Sequence, residues 1–425
     1  MPYVDLVQRF QSQLQEKLLK LTHLVERDVS FPKADHKILI AIGMRRTGKT
    51  YLLYQTIQKL LAKKIPLSRI LYINFEDDRL LPLTREKCAG MIEAFYALHP
   101  ENHDHRCYLF LDEIQNVPDW PIIIRRFFDT KNVQIYLTGS SAKLLSKEIA
   151  TSLRGRSLAI EVFPYSFSEY LRAKEIKFSE NLFGDKEKDQ QLDILKKYIM
   201  TGGFPEVIHE DTDLRIKTLQ DYIDVVIYRD IVERYSVKHL AILKYMIVFM
   251  LSNPGRTLTV HKFYNDLKSQ GHQLSKSVLY EYAEYIEDAY LAFLVNIHDR
   301  SIRRVQTNPK KIYAIDPGML NAVKMNTEND FGWLFENMIF LDLKRQGYLI
   351  EYYLTKERLE IDFLAQTGRG EKKLIQVCWN ADDLKTKNRE EKALSIAEVE
   401  LKIKGQLITP EYYLQHYLQR GCRFV

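Results

Sequence analysis

Gly43-Met44-Arg45-Arg46-Thr47-Gly48-Lys49-Thr50 sets two glycines, a lysine and a hydroxyl at the spacing G-x-x-x-x-G-K-(S/T). Glycine at 43 and 48 permits backbone angles that a Cβ would forbid, so the loop N–H groups can turn inward around an anion. Lys49 would then reach the β- and γ-phosphates, and the Thr50 hydroxyl would ligate Mg²⁺. Further on, Tyr108-Leu109-Phe110-Leu111-Asp112-Glu113 runs an apolar segment into two carboxylates. Asp112 would hold Mg²⁺, directly or through water, and Glu113 would polarise the attacking water as general base. Together these residues predict hydrolysis of ATP with Mg²⁺.

The flanking segments have the form such a site needs. Ile38–Ile42 is an unbroken apolar run, expected as a buried parallel strand, and Tyr51 opens a stretch with apolar residues at helical spacing. Gly43 to Tyr51 are therefore taken as the nucleotide-contacting residues. From Lys37 onward strand and helix patterns alternate, which predicts a doubly wound α/β domain with strands at 37–42, 70–75, 106–111, 133–138 and 157–162. The fourth strand ends Leu137-Thr138-Gly139-Ser140-Ser141, where Ser140 or Thr138 would sit beside the γ-phosphate and the water; a strand-to-helix turn with a serine cap is the plainer alternative. Leu153-Arg154-Gly155-Arg156 follows. Arg154 and Arg156 fit either an arginine finger reaching a neighbouring subunit or a pair of structural ion pairs.

Composition bounds the rest. A chain of 425 residues exceeds one compact core, and about three domains are expected. A net charge of +6 is compatible with a nucleic-acid partner without requiring one. The cysteines, Cys88, Cys107, Cys378 and Cys422, show neither a C-x-x-C pair nor zinc spacing. With no apolar run of about 18 residues and no signal segment, a cytoplasmic protein without a membrane span is expected.

The motifs Gly43–Thr50, Leu109–Glu113, Thr138–Ser141, Arg154–Arg156 and Phe163-Pro164-Tyr165-Ser166-Phe167-Ser168-Glu169-Tyr170 occur in an order that resembles a group of prokaryotic AAA+ ATPases related to the STAND class. The resemblance covers nearly the whole chain. It implies a P-loop core, a helical lid, a winged-helix module and a restriction-endonuclease-like C-terminal α/β domain. The expected divisions are 1–35 for an N-terminal helix and linker, 36–172 for the core, 173–240 for the lid, 241–305 for the winged helix and 306–425 for the C-terminal domain. It further implies a homo-oligomer with ATP between subunits, a hexameric ring being one form. Within the lid, Thr201-Gly202-Gly203-Phe204-Pro205-Glu206 would place Pro205 near the adenine, and Arg229 would sense the γ-phosphate. Arg234 is a weaker candidate, because an i,i+4 pair with Asp230 accounts for it.

Residues 260–268 and 276–288 have helix-turn-helix spacing. Ser275, Lys276, Ser277 and Tyr280 would meet a major groove, although Glu281, Glu284, Glu287 and Asp288 suit phosphates poorly. A winged helix used for packing or protein contact is the alternative to a DNA reader. Arg300, Arg303, Arg304, Lys310 and Lys311 form a better phosphate-contact cluster, a solvated basic loop being the plainer reading, and DNA is the expected partner. The C-terminal order resembles the PD-(D/E)XK nuclease fold. By position Glu336, Asp362 and Gln376-Val377-Cys378 would converge on Mg²⁺ and a phosphate. The last element departs from the pattern: Gln376 is neutral, and Cys378 stands where lysine is required. Glu360 lies two residues before Asp362, on the same strand face, as a further metal neighbour or a solvated carboxylate. A degenerate nuclease is expected.

Overall fold

The computed structural model describes residues 3–21, 24–139, 153, 155–177, 185–324 and 331–417. The chain forms two compact units, Met1–Val162 and Phe163–Val425.

Unit one is built on a sheet of five parallel strands: β1 Ile38–Ile42, β2 Ile70–Asn74, β3 Cys107–Asp112, β4 Val133–Gly139 and β5 Ser157–Glu161, in the order β2-β3-β4-β1-β5. Every residue of β1 and β4 is buried, as strands covered on both faces must be. Phe110 on β3 stacks on Tyr136 of β4 with centroids 4.5 Å apart. The same cluster takes in Leu53 and Ile57 from helix Lys49–Ala62 and Leu14 from helix Val4–Lys20. The N-terminal helix thus spends its apolar stripe, Val7, Phe10 and Leu14, on packing, at about 1.5–3 kcal/mol for each large side chain buried. The strand order matters for the chemistry. β4 lies between β1, which leads into the glycine loop, and β3, which ends in the acids, so the tip of β4 is placed beside both.

Unit two begins with helices Phe167–Ala173, Asp185–Thr201 and Thr212–Val225, a π-helical segment Val226–Val232, and helix Leu240–Leu251. Helices Val260–Ser269 and Lys276–Asp288 follow, with a small antiparallel sheet of β6 Thr257–Leu258, β7 Ala292–Val295 and β8 Lys310–Ala314. β8 lies past residue 305 yet pairs with β6 and β7, so the small sheet is completed only by residues counted with the C-terminal region. Beyond helix Phe331–Arg345 come β9 Leu349–Leu354, β10 Glu360–Gln366, β11 Lys372–Val377 and β12 Gly405–Ile408, in the order β12-β11-β10-β9, with helix Leu384–Leu401 before the last strand. Among the described residues no helix is long and apolar enough to cross a membrane.

Three motifs that are far apart in sequence meet in one knot within this unit. Tyr165 N–H donates to Gly203 O at 2.6 Å, and Gly203 N–H donates to Asp316 Oδ2 at 2.7 Å. Gly318 N–H donates to Asp316 Oδ1 at 2.8 Å. Gly202 has φ +81°, and a Cβ there would lie 1.9 Å from Asp316 Oδ1, while one on Gly203 would lie 2.2 Å from Tyr165 O. The glycines in Thr201–Pro205 are thus required by close packing on Asp316 and Tyr165. Burial pushes the Asp316 carboxyl up to about 6 against the two N–H donors.

Gly202→Ala therefore combines a left-handed backbone with a clash and should lower unfolding free energy by roughly 2–4 kcal/mol, read from the urea midpoint. Asp316→Asn turns one acceptor into a donor facing a glycine N–H and should cost about 1–3 kcal/mol. Asp316 binds its proton more tightly folded than unfolded, so its contribution to stability grows as pH falls from about 6 toward 4. The Asn variant should lack that part of the pH dependence.

Candidate functional site

The glycine loop leaves β1 with Gly43 at φ +149°, where a Cβ would lie 2.4 Å from Val162 O. Val162 is held by its own N–H on Ile42 O at 2.8 Å, so the residue that follows β5 walls the loop and only glycine fits. Lys49 is the first residue of helix Lys49–Ala62. Its Nζ, almost fully buried, donates to Gly43 O at 3.1 Å and Met44 O at 2.9 Å. Thr47 Oγ1 donates to Met44 O at 2.9 Å. Arg45 turns outward to Glu76 at 3.1 Å, Arg46 takes a left-handed backbone, and half-exposed Tyr51 meets Tyr54 edge to face.

At the tip of β3 the Asp112 carboxylate is 1% exposed. Tyr72 OH donates to its Oδ2 at 2.9 Å, Thr138 Oγ1 donates to its Oδ1, and the Thr50 hydroxyl also hydrogen-bonds it. Burial raises the Asp112 pKa above the usual carboxylate range; Thr138 opposes this and the Glu113 charge adds to it. Glu113 sits at φ +53°, a conformation costing about 1–3 kcal/mol in a residue with a Cβ. Its N–H donates to Thr138 Oγ1 at 2.9 Å, and its Oε2 accepts from Gln115 Nε2. One hydroxyl on β4 thus orients both acids. A buried oxygen ligand ringed by hydroxyls, next to a glycine-walled anion cradle, suits Mg²⁺ carried by phosphates.

Three of these contacts were not read from the sequence: Tyr72, Gln115 and Arg27. Arg27 lies in the linker before β1 and is 5% exposed. Its Nη1 donates to Thr47 O, in the glycine loop, at 2.7 Å. Its main chain and the Gln55 amide exchange two hydrogen bonds, at 2.9 and 3.4 Å. A lone arginine in a linker carries no pattern; only the fold shows that it braces the loop.

The remaining candidates stand elsewhere. Ser140 and Arg154 lie outside the described residues. Arg156 pairs with Asp129 at 3.1 Å, and its carbonyl accepts from Ile38 N–H at 2.7 Å. In unit two, Pro205 follows the glycine knot. Arg229 is exposed and pairs with Glu233 at 2.7 Å, and Arg234 lies 3.6 Å from Asp230. Arg300, Arg303 and Arg304 are exposed. Lys311 must be withdrawn from that basic cluster: strand alternation turns it inward from Lys310, and it is 1% exposed. It meets Glu336 there, whose carboxyl burial pushes up to about 7, with Asp362 adding to the rise and Lys311 opposing it.

Residues 35–171 match a family described as an AAA domain, and residues 192–330 match a domain of unknown function, DUF8612. The uncharacterized protein MJ1544 of Methanocaldococcus jannaschii is 35% identical over 391 residues, covering 91% of this chain and 84% of its own length. An uncharacterized protein of Haemophilus influenzae is 29% identical over 403 residues, covering 95% and 96%. A solved structure, the Walker-type ATPase PABY2304 of Pyrococcus abyssi, superposes with a TM-score of 0.44 at 14% identity, over 74% of this chain and 95% of that one.

Arg27→Met keeps the stem but removes the donor to the loop. It should weaken nucleotide binding about tenfold, measured by titration with a fluorescent nucleotide. Unchanged affinity would take Arg27 out of the site.

Proposed function

We propose that this chain, which belongs to the same family as MJ1544 and carries an AAA-type P-loop core, binds ATP with Mg²⁺, hydrolyses it, and couples turnover to work on DNA. The observation that carries the reading is the hydrogen-bonded group Thr50–Asp112–Thr138–Glu113 beside the glycine loop. Mg²⁺, when bound, would supply positive charge to neutralise that developing on the phosphates. Thr50 and Asp112 are the residues that would hold it. Lys49 rests on the carbonyls of Gly43 and Met44 and would exchange them for phosphate oxygens, a stronger charge-assisted pairing. Glu113 would take the proton of the attacking water. Gln115 and the Thr138 hydroxyl fix its side chain and backbone, so the base starts in place.

The DNA part rests on an exposed face. Helix Lys276–Asp288 and the small sheet beside it support a winged-helix reading, and Ser275, Lys276, Ser277 and Tyr280 are all exposed at the start of that helix. Two of its acids are used internally: Glu287 accepts Leu294 N–H at 2.9 Å, and Asp288 accepts Tyr235 OH at 2.9 Å. They therefore oppose phosphates less than the sequence alone suggests. Assembly into a homo-oligomer would give Arg154 and Arg156 a neighbour's nucleotide to serve, Arg156 leaving Asp129 to do so.

A second reading is a nucleotide-controlled switch acting on protein contacts. It is favoured by Val225, Tyr228, Tyr245 and Val248, apolar side chains 41–45% exposed.

Lys49→Ala should abolish Mg²⁺-dependent ATPase activity. Glu113→Gln should keep nucleotide binding while kcat falls by about 10²-fold or more. Steady-state phosphate release measured with and without duplex, branched and single-stranded DNA separates the two readings. A DNA-coupled ATPase speeds up, and a protein switch does not respond.

A further inference from the structure

The acids of unit two are gathered around a lysine that the nuclease pattern does not supply. Lys311 stands on β8, Glu336 on helix Phe331–Arg345, and Glu360 and Asp362 on β10. Lys311 Nζ lies 2.7 Å from Glu336 Oε1, 2.9 Å from Glu360 Oε1 and 3.0 Å from Asp362 Oδ1. An ammonium has three N–H donors; Glu336 and Asp362 accept from two of them, and Glu360 adds a third carboxylate as an ion pair. The neighbouring lone pairs are also engaged. Tyr313 OH donates to Glu336 Oε1 at 2.7 Å, and Val377 N–H donates to Asp362 Oδ2 at 2.9 Å.

Position 376 gives the same message. Gln376 Oε1 accepts Asp362 N–H at 3.1 Å, and Gln376 Nε2 donates to Glu390 Oε2 at 2.7 Å. An ionised acid could accept the first bond but could not donate the second. Glu390 Oε1 is in turn held by Arg389 Nε at 3.0 Å and Nη2 at 2.5 Å. The amide is thus the side chain this network needs. Cys378, where the pattern calls for lysine, is a buried thiol whose pKa burial raises.

A divalent metal does not fit this donor set. Mg²⁺ needs oxygens at about 2.0–2.1 Å in near-octahedral array. One oxygen of each acid, Glu336 Oε1, Glu360 Oε1 and Asp362 Oδ1, already faces Lys311, and a cation added among the three acids would stand against the ammonium, where like charges repel. Among the described residues no three His, Cys, Asp or Glu side chains are arranged to hold a metal. Access is not the obstacle, since the acids line a cavity of about 580 Å³.

We infer that the Lys311 ammonium is the resident cation of this cleft, holding Glu336, Glu360 and Asp362 together where a metal-dependent nuclease would hold its metal. The cleft is then a metal-independent joint and not a phosphodiester-cleaving site. The joint ties two sheets, because β8 belongs to the small antiparallel sheet and β10 to the four-stranded one. Lys311 is a positioning residue in this role. The inference is independent of ATP hydrolysis in unit one.

The test uses the full-length, nucleotide-free protein and Mn²⁺ as probe, with bound Mn²⁺ read by electron paramagnetic resonance and stability by thermal unfolding. The native protein should bind no Mn²⁺ through Asp362, keep its Tm on addition of Mn²⁺, and leave supercoiled DNA intact. Lys311→Met, nearly isosteric but uncharged, should lower Tm by roughly 5–15 °C. Mn²⁺ should restore part of that loss by binding a site that a further Asp362→Asn change removes. Stoichiometric Mn²⁺ binding by the native protein that is lost in Asp362→Asn overturns the inference, as does Mn²⁺-dependent nicking that is lost with it. A Lys311→Met variant as stable as the native protein overturns it too. If Lys311→Met fails to fold, the native and Asp362→Asn arms alone decide.

Discussion

A carboxylate taken out of water must be given partners, and Asp112 is where the first unit meets that demand. Its desolvation costs several kcal/mol even after relaxation. Three hydroxyls, from Thr50, Tyr72 and Thr138, come from three different elements to offset it. They can do so only because β4 separates β1 from β3, and because helix Lys49–Ala62 starts directly behind the glycine loop. Sheet order, loop glycines and helix start are therefore all conditions on one buried charge. These three partners are hydroxyls, which satisfy the lone pairs of the carboxylate without bringing a counter-charge of their own.

Unit two places a comparable charge under comparable burial and answers it differently. Glu336 and Asp362 are as deeply placed as catalytic acids would be, but an ammonium from another strand has joined them. Removing one partner of such a group leaves a buried charge exposed to the full desolvation cost, whereas the intact group contributes little net stability. Its value lies in specifying which strands lie together. Neutral hydroxyls meet the demand at one carboxylate, and an ammonium meets it at the others.

How far the sequence could be read follows from the range of each interaction. The glycine loop, Lys49, Thr50, Asp112 and Glu113 belong to short contiguous patterns, and the five strands of unit one are apolar runs at regular spacing, so both were legible. Thr138 was legible as the end of a strand, but its two hydrogen bonds, donated to Asp112 and accepted from the Glu113 N–H, depend on sheet order. Arg27 meets Thr47 across 20 residues, with nothing in its neighbours to distinguish it. Lys311 was read as basic surface because Arg300, Arg303, Arg304 and Lys310 surround it in sequence. The acids that accept its hydrogen bonds, Glu336 and Asp362, lie 25 and 51 residues away, on the side opposite Lys310. Gln376 and Cys378 read as defects in a nuclease pattern, and only the hydrogen bonds of the amide show a positive requirement for it.

The glycine knot carries this one step further. Phe163–Tyr170, Thr201–Glu206 and Asp316–Gly318 look like three separate motifs, yet Tyr165, Gly203 and Asp316 form one continuous run of hydrogen bonds. Arg345 adds a donor to Pro164 O at 3.0 Å, and Tyr198 OH adds one to Tyr165 O at 2.8 Å. Val162, whose carbonyl walls Gly43, is followed at once by this pinned stretch. Gly202 and Gly203 are therefore fixed by contacts made more than a hundred residues away and some forty residues before them, and not by the turn alone, because interiors are dense and leave no room for a Cβ at either position.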